Sequence, residues 1–249
     1  MSEKVFFGNK KIDPSIKQSF VNDVFSSVAS NYDVMNDLMS FGTHRLWKDK
    51  FVNEITDFNK KIIDVAGGTG DITARILKKA KKLYLQPDIT IFDINSDMLK
   101  KGKEKFYDQG LFTSKLNWIC GNAESMPFKD NVFDFYVCAF GYRNMTNINL
   151  ALHEARRVLK PGGKFICLEF SKVYNPLLNK FYQFYSKNII AKLGGIVAND
   201  FDSYLYLVES IDNFLPQEEF TTQVSEAGFN NTSFESLFSG VCTIYRGYK

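Results

Sequence analysis

The sequence predicts an α/β protein built on a doubly wound, mostly parallel sheet. Three observations carry that reading. A β-branched run breaks at Ala66 into Gly67-Gly68-Thr69-Gly70 and then into a helical pattern. A second short strand, 89–94, places Asp93 23 residues beyond Gly70. The middle of the chain alternates strand-like with helix-like segments. Glycines let a backbone turn tightly against a ligand while the following helix presents unpaired N–H groups. An acid about 20 residues further on, ending the next strand, is placed to accept ribose hydroxyls.

Taken in order, residues 13–58 read as a helical cap ahead of the sheet. Strands are expected at 61–66, 88–94, 116–121, 132–140 and 164–171, where apolar and β-branched residues gather between turn signals. Helices are expected between them at 71–82, 96–107 and 147–159, with the lysine-rich stretches 78–82 and 100–105 as solvated faces. The third helix stops sharply at Lys160-Pro161-Gly162-Gly163. Residues 172–211 form an insertion after the fifth expected strand, placed, like the cap, to roof the cleft. Pro216 then opens a helix that Gly228 closes, and 230–236 and 240–247 read as two strands running against each other. No linker or repeat divides the chain, so 1–249 reads as a single domain. Ligands of such sheets bind beyond the carboxyl ends of the strands, where Gly68, Asp93, Asn122 and Phe140 fall.

The composition, 45% hydrophobic and 24% charged over 249 residues, supplies a sizeable core. A net charge of +3, spread along the chain, argues against nucleic acid as a partner. Cys120, Cys138, Cys167 and Cys242 lie in strand-like runs without a C-x-x-C, and His44 and His153 are the two histidines. Buried free thiols in a reducing compartment, and no metal site, are the expectation. No apolar run reaches the roughly 18 residues of a membrane span and no signal-peptide core is visible, so the reading is a soluble protein, at most peripheral to a membrane.

The glycine spacing selects the cofactor class. A dinucleotide fingerprint from Gly68 needs Gly or Ala where Thr73 stands, and no G-x-x-x-x-G-K-[ST] run occurs. The pattern Asp64, Ala66, Gly68, Gly70 instead resembles motif I of the S-adenosylmethionine-dependent methyltransferases. Further blocks sharpen the resemblance: Tyr32 to Lys48, Gly-Asn-Ala-Glu-Ser-Met-Pro-Phe (121–128), Phe-Gly-Tyr-Arg-Asn (140–144), Leu-Glu-Phe-Ser-Lys (168–172) and Tyr-Leu-Val-Glu-Ser-Ile (206–211). With the C-terminal tail, they make nearly the whole chain similar to the ubiquinone/menaquinone biosynthesis C-methyltransferases. The resemblance implies a class I methyltransferase, Rossmann-like doubly wound sheet of seven strands with the last antiparallel, plus the N-terminal helical cap and the insertion.

It also implies the chemistry. S-adenosyl-L-methionine is the expected cofactor, met by Gly67, Gly68, Thr69 and Asp93, with Asn122 and Ala123 beside the adenine. Relatives often carry Ser where this chain has Ala139, so that hydroxyl contact is missing here. The implied acceptor is a ring carbon of a polyprenylated benzoquinol or naphthoquinol, which becomes nucleophilic once a ring hydroxyl ionises; the alternatives are a methyltransferase of another small molecule and a non-catalytic scaffold of a quinone-biosynthesis complex. Arg143 and Asn144 are the candidates for holding the ionised oxygen, Arg143 as an electrostatic partner rather than a base, because its pKa lies above about 12. The competing reading of Arg143 is a salt bridge bracing the roof. His44 has the natural pKa of a base, against a structural role beside Arg45 and Trp47. Residues 174–197, with Lys180, Lys187 and Lys192 among aromatics, suit a bilayer interface as well as a lid or a homodimer contact. Relatives place the protein in the bacterial cytoplasm with peripheral membrane association, or on the matrix side of the mitochondrial inner membrane, within reach of a quinone-biosynthesis complex.

Overall fold

The computed structural model describes residues 4–28, 42–173 and 201–249. The chain opens with a hairpin that the sequence reading did not anticipate, β1 (Val5–Phe7) and β2 (Lys10–Ile12), turned at Gly8 and paired antiparallel. Helices α1 (Pro14–Val28) and α2 (His44–Val52) follow. Among the described residues the expected cap is helical over these two stretches, and residues 53–60 are turns and loop rather than helix. The block from Tyr32 to Phe41 lies outside the described residues.

The sheet begins with β3 (Lys61–Val65), α3 (Asp71–Lys82), β4 (Asp88–Asp93), α4 (Ser96–Asp108) and β5 (Leu116–Cys120). It continues through β6 (Phe133–Ala139), α5 (Ile148–Val158) and β7 (Leu159–Phe170). It closes with α6 (Phe201–Asp212), α7 (Gln217–Glu226), β8 (Asn230–Leu237) and β9 (Cys242–Tyr248). The seven strands lie in the order β5-β4-β3-β6-β7-β9-β8. β3 pairs parallel with β4 and β6, and β9 runs antiparallel to both β7 and β8. Reversal of strand order at β3 creates a crevice between the carboxyl ends of β3 and β6, where such sheets bind ligands.

Alternation along buried strands divides the core into two layers. Ile62, Ile91 and Val137 face the layer of α2, α3 and α6, with Phe51, Ile76 and Leu207. Ile63, Phe92 and Cys138 face the layer of α5 and α7, with Leu152 and Phe220.

One boundary differs in kind. Helix α5 does end at Val158, but the Lys-Pro-Gly-Gly stretch is a bulge within β7 rather than a turn ahead of it. Phe133 pairs with Leu159 and Phe135 with Lys164, so residues 160–163 oppose Asp134 alone. A bulge accommodates proline, which has no N–H for a ladder. The insertion is helical over Phe201–Asp212, and 174–197, read above as suited to a bilayer interface, a lid or a dimer contact, lies outside the described residues.

Candidate active site at the carboxyl ends of the strands

Four strand ends and one helix form the principal cavity. Its walls include Gly68 after β3, Asp93 at the end of β4, Asn122 and Ala123 after β5, and Phe140 and Asn144 after β6, with Gln18, Asn22 and Phe25 of α1 across the mouth. It encloses about 820 Å³, open mouth included.

The loop after β3 owes its shape to two glycines. Gly68 (φ +54°) and Gly70 (φ +81°) occupy the left-handed region, and a Cβ on Gly70 would meet the Phe106 ring at 2.8 Å. The loop is clamped by its acids. Asp64, 1% exposed, accepts from Thr73 Oγ1 at 2.7 Å and Thr73 N at 3.2 Å. Burial, only partly offset by Thr73, pushes its carboxyl up to about 7. The motif's acid therefore ties the end of β3 to the start of α3 across the loop. Asp93 Oδ2 accepts from Gly68 N and Oδ1 from Asn95 N, both at 2.8 Å. Burial pushes its carboxyl up too, against those N–H donors. A carboxylate has about four lone-pair sites, so acceptor capacity remains toward the cavity.

The roof is tied to this floor. Asn95 caps α4 through Oδ1, while its Nδ2 reaches Asn22 O at 3.2 Å and Ser26 Oγ at 3.0 Å on α1. Asn122 Oδ1 accepts from Glu124 N at 2.8 Å, and Glu124 Oε1 accepts from Thr146 N at 2.7 Å.

After β6, Phe140 takes a left-handed conformation (φ +60°) and leads into a 3-10 turn, Tyr142–Asn144. Arg143 Nη1 donates to Glu169 Oε1 at 2.7 Å and to Phe140 O at 2.6 Å. The pair is buried, with side chains 4% and 0% exposed. Burial pushes the Glu169 carboxyl up, and Arg143 pulls it back. Asn144 Nδ2 donates to Phe140 O at 3.4 Å, and its Oδ1 accepts from Tyr206 Oη at 3.0 Å.

The sequence-predicted residues thus distribute over adjoining spaces. Gly68, Asp93, Asn122, Ala123 and Asn144 line the principal cavity. Gly67 and Thr69 line a smaller recess on the other side of the loop, beside Lys48 and Asp71, which pair at 2.8 Å. Burial opposes ionisation of Asp71, yet Lys48 and Arg75 hold its carboxyl down to about 2. Arg143 lines a neighbouring groove that shares Met145 and Thr146 with the principal cavity. His44, buried at the start of α2, lines none of these spaces. Glu169, Tyr206 and Asn95 were not singled out from sequence. For Glu169 a signal existed, a carboxylate inside the apolar run Phe-Ile-Cys-Leu-Glu-Phe (165–170). Among the described residues no group of acids, histidines and cysteines could hold a metal ion.

Comparison with known proteins decides the family. Residues 13–249 match the ubiE/COQ5 methyltransferase family. The chain belongs to that family. It is 52% identical over 243 residues to a Rickettsia bellii protein named ubiquinone/menaquinone biosynthesis C-methyltransferase UbiE, covering 98% of each chain. A Rickettsia akari protein of the same name is 50% identical over 243 residues, again 98% of each. Among solved structures, a Thermotoga maritima SAM-dependent methyltransferase superposes with a TM-score of 0.62 at 18% identity, covering 92% of this chain and 99% of that one. One from Aquifex aeolicus gives 0.56 at 14% identity, covering 96% and 99%. At such identities these two speak for the fold, the class I methyltransferase sheet.

A ubiE/COQ5 methyltransferase of this fold takes S-adenosylmethionine as methyl donor. The cavity suits that molecule. Asp93 offers carboxylate oxygens for a diol, Ile94, Met98 and Ala123 offer apolar walls for a flat base, and among the described residues no lysine or arginine lines the space to repel a sulfonium. Among the described residues no helix is long and apolar enough to cross a membrane.

Proposed function

We propose that this enzyme transfers the methyl group of S-adenosylmethionine to a ring carbon of a polyprenylated benzoquinol or naphthoquinol in quinone biosynthesis. One observation carries the reading: the Arg143–Asn144 turn stands at the boundary between the donor cavity, which Asn144 lines, and the groove, which Arg143 lines. When bound, the cofactor supplies an electrophilic methyl on a sulfonium. A quinol carbon attacks it only after a ring hydroxyl ionises, so the protein must favour the phenolate and align it.

We assign the phenolate oxygen to Arg143 and Asn144. Arg143 contributes charge and Asn144 an oriented amide, held by Phe140 O and the Tyr206 hydroxyl. Aligning two bound reactants contributes roughly 7–11 kcal/mol to such a step. Asp93 takes the ribose, Asn122 and Ala123 the adenine, and Gly67, Gly68 and Thr69 the methionine end. His44, outside these spaces, receives no part in the assignment. We place the enzyme in the bacterial cytoplasm with one face against a bilayer, because a prenylated acceptor resides there.

Incubation with isotopically labelled S-adenosylmethionine and each demethylated quinol, followed by mass spectrometry, tests the reading. Label on a ring carbon of either quinol is expected. Absence of label from both, with a folded cofactor-binding protein, refutes it.

A further inference from the structure

The groove beside the donor cavity has properties that identify its occupant. It encloses about 1520 Å³, open mouth included. Met145 and Thr146 line both it and the donor cavity, and Thr146 is fixed from the donor side by Glu124 at 2.7 Å. Its described lining carries three cations, Lys4, Lys17 and Arg143, and no carboxylate. Glu169, the acid nearest Arg143, lies wholly buried behind it. Away from the donor cavity the walls are mixed: an apolar strip of Val5 and Phe6 from the hairpin with Phe214 and Leu215 beyond α6 stands among Asn147, Asn149, Ser210, Asn213 and Gln223.

Lys17 is the telling residue. It sits on α1, 6% exposed, and its ammonium donates to Met145 O at 2.7 Å. That bond uses one of three donors. A lysine is almost never fully buried unless it is paired with something, and a peptide carbonyl is a neutral partner. Burial pushes its pKa down, against the attraction of Glu124.

We propose that this groove is the acceptor channel, taking an anionic aromatic ring between Lys17 and Arg143 at its inner end and an apolar tail along Val5, Phe214 and Leu215. The proposal rests on the function assigned above and adds where the acceptor lies, which cation besides Arg143 meets its charge, and the N-terminal hairpin as a wall for the tail. A phenolate at the Met145–Thr146 boundary faces the donor cavity directly. The tail then leaves between hairpin and α6, which Glu209 holds together by accepting from Asn9 N at 3.0 Å and Asn9 Nδ2 at 2.9 Å.

The test uses the full-length wild-type protein with S-adenosylhomocysteine and a demethylnaphthoquinol whose short prenyl tail ends in a benzophenone. After irradiation, labelled peptides are mapped by mass spectrometry. Adducts are expected within residues 4–17 or 206–215, suppressed by a geranylated demethylnaphthoquinol. Adducts confined elsewhere, or none, in a protein that turns over the unmodified quinol overturn the channel while leaving the function intact. No turnover of either demethylated quinol is the separate failure of the function. Two variants add a kinetic reading. Lys17→Met should raise KM for the quinol roughly 10–100-fold, the loss expected for one charge-assisted contact. Leu215→Trp, which fills the channel, should raise it roughly tenfold or more. Wild-type KM values in both folded variants overturn the proposal.

Discussion

Replacing Arg143 separates the buried ion pair that it forms from the catalytic part proposed for it. Its guanidinium is buried against Glu169 at 2.7 Å, with the two side chains 4% and 0% exposed. Arg143→Ala therefore strands a carboxylate in the core, and breaking a buried pair in this way costs about 3–5 kcal/mol. At roughly 2–4 °C per kcal/mol for a chain of this size, the melting temperature should fall by about 6–20 °C. Protonation of Glu169 limits the loss, since burial already pushes that carboxyl up, so the deficit should shrink as pH is lowered. Arg143→Ala/Glu169→Gln removes both charges; the carboxylate now accepts from Phe170 N on Oε1 and from residue 143 N on Oε2, and the single amide oxygen keeps an acceptor for one of the two. The double variant's melting temperature should recover toward wild type. Its turnover should not, because the cation assigned to the phenolate is still missing, a loss of roughly 10²–10³-fold by analogy with removal of one oxyanion donor. Single-turnover rates at saturating cofactor, read beside melting curves, decide the matter. A recovered double variant with wild-type turnover would refute the catalytic assignment and leave Arg143 as a brace. An Arg143→Ala protein as stable as wild type would refute the argument from burial.

Three further predictions use other parts of the site. Asp93→Ala should weaken S-adenosylmethionine binding by roughly 10–150-fold in calorimetry, from the loss of a charge-assisted contact of about 1.5–3 kcal/mol; an unchanged dissociation constant would remove Asp93 from the ribose site. Asp64 has its folded pKa raised from 3.8 to about 7, so the folded state holds a proton that the unfolded chain releases. Stability should therefore fall as pH rises from about 4 to about 7, by about 4 kcal/mol from this group at 1.36 kcal/mol per unit. Asp64→Asn should flatten that slope in urea titrations, and an identical slope in the variant would sink the assignment. Tyr206→Phe removes the hydroxyl that holds Asn144 Oδ1 at 3.0 Å, and should lower turnover several-fold with cofactor affinity retained; unaltered turnover would show that the amide orients itself.

The sheet was legible because its strands are local events. Each of 61–66, 88–94, 116–121 and 132–140 is an apolar run bounded by turn residues, and the observed strands stop within one residue of those limits at either end. The Lys-Pro-Gly-Gly bulge was misread as a turn, since sequence shows that helix α5 must stop but not that Leu159 already pairs with Phe133. The hairpin at 5–12 was missed for a similar reason: its strands have three residues each, and what secures it is distant, the grip of Glu209 on Asn9 and the stacking of Phe7 on Tyr206 at 4.3 Å. Asp93 and the glycine loop could be found from spacing. The partnership of Arg143 with Glu169 spans 26 residues and two strands, so the sequence displayed both charges without their meeting. Asp64 carried the opposite lesson, because a motif position next to a cofactor loop proves to hold the loop through Thr73.

Charge is segregated across the Met145–Thr146 boundary, and the segregation matches the reaction proposed. Among the described residues, the donor cavity is lined by Asp93 and Glu124 and by no lysine or arginine, and the groove by Lys4, Lys17 and Arg143 and by no carboxylate. A sulfonium on one side and a phenolate on the other would each meet the opposite sign. Yet methyl transfer consumes both charges, so a site that held either ion too firmly would stabilise the ground state and slow the step. The two inner cations are tempered in different ways. Arg143 shares its charge with Glu169, and Lys17 spends one donor on Met145 O. A guanidinium already paired can still favour ionisation of a nearby phenol, because burial keeps its field from being screened by water, while the carboxylate behind it weakens the pull on the finished phenolate. On this reasoning Glu169 is more than a brace. On this proposal it would set how strongly the groove holds the anion whose charge methyl transfer then removes.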